Sequence, residues 1–305
     1  MPNSTVPDCR SLDARFGRAP GVSFAERFGG PVAILEAAGS TAIVALQGGQ
    51  VLSWRARGFS DDVLWLSPSA QLGTGKAVRG GVPVCWPWFG AHPSDAAKPA
   101  HGFVRAAYWN VAGSATSASR ARLILSFDTS VVDASLWQPR ARAELEITVG
   151  ETLTISLSTD NLSAAPFALT QALHTYLNVG DIADATVTGL ESRRYIDQLD
   201  GGAVRLQSGA IVIGSEVDRI YQATGDDVVV TDNRLARQIC VAKSGSQSTV
   251  VWNPWIAKAA RLGDVGEDGY RRMLCIETAN AGDDVVMLAA RARHRIVTEL
   301  KVSRL

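Results

Sequence analysis

The chain has 305 residues, 46% of them apolar, with 30 lysines and arginines set against 30 aspartates and glutamates. A formal net charge of zero gives no global attraction to nucleic acid or to an anionic membrane surface, so any anion binding must come from a local cluster of cations. The length can bury a large core without disulfides, and no stretch reaches the roughly 18 apolar residues that span a bilayer.

Residues 1–20 are polar and lack the apolar stretch of a signal peptide. They read as a loose arm ahead of a single domain over residues 21–305, in a cytoplasmic monomer. Strand-like runs follow at 32–37, 42–46 and 51–55, separated by Gly39-Ser40 and Gly48-Gly49. The clearest pattern is at 143–159. Leu145, Ile147 and Val149 alternate with polar residues, Gly150-Glu151 makes a turn, and Leu153, Ile155 and Leu157 alternate again. Such period-two patterning predicts a half-buried hairpin. Runs of the same style recur at 185–188, 210–213, 228–231, 238–242, 249–252, 273–278, 285–289 and 296–302. Helical signal is confined to residues 255–262, with a turn at 133–137. Many short strands joined by polar turns predict an all-β sandwich or barrel.

Cys9, Cys85, Cys240 and Cys275 form no C-x-x-C pair, and the last three lie in apolar runs, as core thiols in a reducing compartment do. No His, Cys or Asp cluster has metal-ligand spacing. The phosphate-loop, Rossmann and nucleophile-elbow patterns are also missing. We therefore expect neither a metal nor a nucleotide cofactor.

Four segments break the strand-and-turn pattern. Residues 78–90 pack Arg79, Gly80-Gly81, Pro83, Trp86-Pro87 and Trp88 into one irregular loop. Exposed indoles there would cover the apolar face of a pyranose, with the arginine on its anionic end; buried, they would be an aromatic core. His101 and Arg105 flank Gly102 in a second segment. His174 lies in an apolar run at 169–177, where most histidines are satisfied core residues, yet burial is also how an imidazole is tuned for proton transfer. Glu277 interrupts the apolar run 273–279, and burial there would make its carboxylate a stronger base. His92 and His294 read as solvated.

Together these pieces resemble the aldose 1-epimerase superfamily, and within it the hexose-6-phosphate mutarotases. The motifs are Arg79-Gly80-Gly81-Val82-Pro83 with Trp86-Pro87, His101-Gly102-Phe103-Val104-Arg105, and Ala172-Leu173-His174-Thr175-Tyr176 with Val179-Gly180-Asp181-Ile182. Then come Glu216-Val217-Asp218-Arg219-Ile220-Tyr221, Val250-Val251-Trp252-Asn253-Pro254 and Cys275-Ile276-Glu277-Thr278-Ala279. The resemblance implies a large antiparallel, galactose mutarotase-like β-sandwich with a sugar cleft on one sheet face. It implies His174 and Glu277 as the catalytic pair, on opposite sides of the C1–O5 unit. It also implies substrate contacts from Arg79, His101, Arg105 and Asp218, the arginines lying near a phosphate. Ala100 departs from relatives that carry glutamine there. The expected partner is a small hexose phosphate, with no nucleic acid or membrane involved.

Three competing readings differ in what they leave unused. A mutarotase for neutral aldoses has no need of Arg79 and Arg105. A glycosidase built on Asp218 and Glu277 leaves His174 idle. A non-catalytic sugar-binding module needs the aromatic surfaces but not both His174 and Glu277.

Overall fold

The computed structural model describes residues 6–305. Two large sheets dominate, and every strand pair in them is antiparallel. The nine-stranded sheet runs in the order Ile211–Val212, Ala185–Thr188, Val228–Asp232, Arg237–Ser244, Arg293–Arg304, Leu153–Asn161, Ala141–Val149, Ala121–Asp128, Asn110–Thr116. The second runs Ala203–Leu206, Arg194–Asp197, Val217–Tyr221, Ser248–Asn253, Met273–Asn280, Gln171–Leu173, Val84–Cys85, with Tyr176–Asn178 also paired to Met273–Asn280. A four-stranded sheet of Val22–Arg27, Gly30–Ala37, Ser40–Ala45 and Val51–Arg55 adds to the same core.

Alternation decides which side chains meet. In Ala141–Val149 every second residue is buried, and Leu145 and Ile147 pack with Leu157, Ile276 and Val251 between the two large sheets. The hairpin turn is one residue longer than the sequence predicts. Val149 pairs with Leu153, which leaves Gly150, Glu151 and Thr152 in the loop, with Gly150 N donating to Thr152 O at 3.0 Å.

Met273–Asn280 is buried along its whole length, because the sheet is covered on both faces. Leu274 and Ile276 point into the inter-sheet core, whereas Met273, Cys275 and Ala279 pack on the opposite face with Trp65, Ala172, Val250 and Trp252. Side-chain parity therefore puts Glu277 on that second face.

The amino-terminal segment differs from expectation. Residues 1–5 of the arm lie outside the described residues, but Cys9–Phe16 is a helix. Asp8 caps it by accepting from Ser11 N. Asp13 accepts from Phe24 N at 3.0 Å, and Phe16 enters the core. Phe16, with Leu12 and Cys9 packed at the edge of the core, docks a segment whose average composition is polar. The helix Trp255–Leu262 forms as predicted; Asn253 Oδ1 accepts from Trp255 N at its start, and Gly263 closes it at φ +70°. No helix among the described residues is long and apolar enough to cross a membrane.

Candidate active site

Strand register brings His174 and Glu277 together. Leu173 lies opposite Thr278 and Tyr176 opposite Cys275, so the same register sets His174 opposite Glu277. Directly opposed residues on one sheet face are close enough to touch. Nε2 of His174 is 3.3 Å from Oε1 of Glu277, with both side chains buried. The two groups therefore stand side by side in contact, not across a gap. His174 is held from behind by its backbone N–H, which donates to Pro83 O at 3.0 Å, and by Tyr176, whose ring stacks on it at 4.7 Å. Trp252 meets its edge at 6.0 Å.

Two polar atoms of the pair, His174 Nδ1 and Glu277 Oε2, have no hydrogen-bond partner among the described residues. A buried polar group left unpaired costs about 1–3 kcal/mol. A ligand bearing hydroxyl groups would satisfy both atoms.

Burial drives both groups toward neutrality. It raises the Glu277 carboxyl well above its ordinary range, with the Asp218 charge adding to the rise and Arg105 opposing it. It lowers the His174 imidazole, with His101, Arg105 and Arg79 adding to the fall. Both directions favour the neutral arrangement, with the proton on Glu277 and off His174.

The loops around the pair depend on glycine at particular points. A Cβ on Gly81 would lie 2.1 Å from Val51 O, and one on Gly102 would lie 1.8 Å from Trp86 O; both residues have positive φ. These close approaches press Gly81 against the strand Val51–Arg55 and Gly102 against Trp86 of the neighbouring loop. His101 itself sits at φ +62°, with its ring 5.8 Å from that of His174. Burial lowers its pKa to about 3, so it is neutral. Its Nδ1 accepts from Gly90 N at 3.3 Å, which leaves the proton on Nε2 as a donor.

The two arginines differ in their commitments. Arg79 Nε is 2.6 Å from Asp264 Oδ1, and its Nη1 donates to the Tyr176 hydroxyl at 3.1 Å. Arg105 Nη2 donates to the Ala100 carbonyl at 2.6 Å and makes no ion pair among the described residues. Asp218 shares the site's face: it opposes Trp252, which opposes Cys275. Burial raises its pKa against the pull of Lys258, whose ammonium is 3.5 Å from Asp218 and 2.9 Å from Glu216.

Some expectations need correction. Trp86 and Trp88 are core residues at 0% and 3% exposure. Trp86 packs against Phe103 and Phe127 and donates to Thr159 in the facing sheet at 2.9 Å. The aromatic surfaces at the pair belong instead to Tyr176 and Trp252. His294 is half-buried, its Nε2 3.0 Å from Asn280 Oδ1, and it is not solvated. Sequence reasoning also passed over Lys258 and Asp264. Lys258 had a faint signal as the cation of the predicted 255–262 helix; Asp264 had none.

The fold also assembles what no spacing announces, a His174, Cys275 and Glu277 cluster whose ligand-type atoms lie within 4.8 Å of one another. Burial holds the Cys275 thiol well above its ordinary pKa, so it is protonated and a poor ligand as it stands.

The aldose 1-epimerase family model matches residues 32–301, which takes in every motif above. The chain belongs to the aldose 1-epimerase family. A relative from Escherichia coli, named "Putative glucose-6-phosphate 1-epimerase", is 38% identical over 240 residues, covering 78% of this chain and 79% of its own. One of the same name from Cenchrus ciliaris is 34% identical over 246 residues, covering 77% and 74%. Among solved structures, a "putative mutarotase" from Salmonella typhimurium superposes with a TM-score of 0.88 at 30% identity, covering 97% of this chain and 99% of that one. The galactose 1-epimerase of Lactobacillus acidophilus, at 13% identity and a TM-score of 0.70 over 93% and 98% of the two chains, shares the fold. This aldose 1-epimerase family member thus has the galactose mutarotase-like sandwich that its motifs imply.

Proposed function

We propose that the protein interconverts the α and β anomers of a hexose 6-phosphate, glucose 6-phosphate first among them, by acid–base ring opening and closure. The observation that carries this reading is the buried His174–Glu277 contact, an acid and a base with spare polar atoms. The names of the relatives support the substrate class.

Ring opening needs one proton removed from the C1 hydroxyl and one added to the ring oxygen. Those two oxygens hang from the same carbon, so an acid and a base side by side serve both. In the working form one proton has crossed the 3.3 Å contact from Glu277 to His174. Glu277 then takes the hydroxyl proton as the C1–O5 bond breaks, and His174 protonates the ring oxygen. The open aldehyde turns about C1–C2, and closure on the other face runs the transfers in reverse, which restores the pair. Each such proton transfer contributes ~10²–10⁴-fold. His101 acts as a neutral donor to the sugar, Asp218 accepts from a hydroxyl, and Arg79 and Arg105 contact the substrate. The four free thiols fit a reducing, cytoplasmic setting.

The test is exchange NMR on equilibrated glucose 6-phosphate. The expected result is α-to-β exchange far above the spontaneous rate in proportion to enzyme. Exchange no faster than in buffer would remove the proposal.

A further inference from the structure

Cys275 has no part in the proton transfers, yet it stands on the catalytic face. It precedes Glu277 by two positions on the strand Met273–Asn280, so the two side chains share that face. Its cross-strand neighbours are Tyr176 on one side and Trp252 on the other. Those two rings meet edge to face at 6.0 Å and 82°, and Tyr176 also stacks on His174. Packing from both neighbouring strands thus holds the thiol beside the acid–base pair.

Cys275, His174 and Glu277 each bring one ligand-type atom within 4.8 Å of the other two. A thiol, an imidazole and a carboxylate form a mixed donor set that suits zinc and not magnesium or calcium. Bonds of about 2.0–2.3 Å at tetrahedral angles put neighbouring donor atoms roughly 3.3–3.6 Å apart. His174 Nε2 and Glu277 Oε1 already stand at 3.3 Å, so one edge of the tetrahedron is in place. The thiol completes a face by closing about 1 Å.

A second observation points the same way. Glu277 is 2% exposed, and its Oε2 has no hydrogen-bond partner among the described residues. Its one ion-pair partner among them is His174 itself. The carboxylate can therefore turn onto a cation without breaking a bond to any third residue. Zinc held by a thiolate, a carboxylate and a neutral imidazole carries no net charge, the form that a dry site tolerates. The thiol and carboxyl protons pass to water as the metal bonds form.

We propose that His174, Cys275 and Glu277 form an inhibitory site for zinc or a similar borderline divalent cation. The ion takes the lone pair of His174 and the carboxylate of Glu277, so a loaded enzyme cannot move the two protons that ring opening needs. The block on turnover rests on the anomerisation reading. The site does not, because metal binding is read without substrate.

Cobalt(II) is the probe, since a thiolate bound to it gives a near-ultraviolet charge-transfer band. The full chain titrated with Co2+ should develop that band to an end point of one ion per chain, and added Zn2+ should remove it. Cys275→Ser, nearly unchanged in size, and Cys275→Ala should both lack the band. Cys240→Ser, on the strand Arg237–Ser244 of the facing sheet, should keep it. Zn2+ should stop glucose 6-phosphate exchange by the wild type, and EDTA should restore it. Measured against each variant's own metal-free rate, half-inhibition of Cys275→Ala should need at least the roughly 10–100-fold more Zn2+ that loss of a mere outer-shell partner costs. No band in the wild type, or a band that survives in both Cys275 variants, would overturn the site. Unchanged Zn2+ sensitivity in both variants would overturn its inhibitory role. A band lost in both variants, together with no anomerisation by the wild type, would uphold the site and remove the reaction.

Discussion

Replacing Glu277 by glutamine isolates its proton chemistry from its shape. The side chain is 2% exposed, and the amide is nearly isosteric, so packing and the contact with His174 are retained. The base is lost. At ~10²–10⁴-fold for one positioned proton transfer, the barrier rises by about 3–5 kcal/mol, while affinity for glucose 6-phosphate changes little. Stability moves the other way. A carboxyl raised well above 4.5 by burial binds its proton more tightly folded than unfolded. The stability that this group contributes is therefore lost as pH climbs from 4.5 toward the folded pKa, a dependence the glutamine variant lacks. Its melting temperature should gain on that of the wild type between pH 5 and pH 8, the pattern of an active-site group retained at a stability cost. The assay pairs exchange NMR with thermal melts at both pH values. A folded Glu277→Gln enzyme turning over within a few-fold of wild type would refute the assignment of the base. A parallel pH dependence of the two melts would refute the account of its burial.

His174→Asn should also slow exchange by two orders of magnitude or more. Because burial lowers the imidazole pKa below 6.5, the stability that His174 contributes is lost as pH falls through 6.5, a loss the asparagine variant lacks; the difference between the two proteins' acid melts checks the sign. Gly102→Ala forces a Cβ to within 1.8 Å of Trp86 O at φ +75°, so a loss of roughly 2 kcal/mol or more is expected in urea unfolding. A change under about 0.5 kcal/mol would mean the two loops are not locked as described. Exhaustive chelation should leave the exchange rate unchanged. With His174, Cys275 and Glu277 so close together, loss of activity restored by a divalent ion would count directly against the two-residue mechanism.

The fold class was legible because period-two alternation is a local property. Leu145, Ile147 and Val149 against Leu153, Ile155 and Leu157 declare a hairpin within one short window. Glu277 stood out for a similar reason, as a charge in a run otherwise fit only for burial, and the ordered motifs pointed to the family before any coordinate. Irregular, loop-rich segments were harder to judge. Trp86 and Trp88 have the composition of a sugar platform, and only the facing sheet, through Thr159 and Phe127, and the neighbouring loop, through Phe103, make them core. What tertiary structure alone decided is who meets whom. His174 and Glu277 are 103 positions apart in the numbering, and a shift of one residue in the pairing of their strands would have turned one of them into the inter-sheet core. Asp264 reaches Arg79, Gln47 donates to the Lys76 carbonyl, and Gly48 lies against Arg105 O, through contacts with no period and no motif. Charge compensation depends on distance in space, so the sequence can name the cations but only the packed chain shows which of them keep their charge for a ligand.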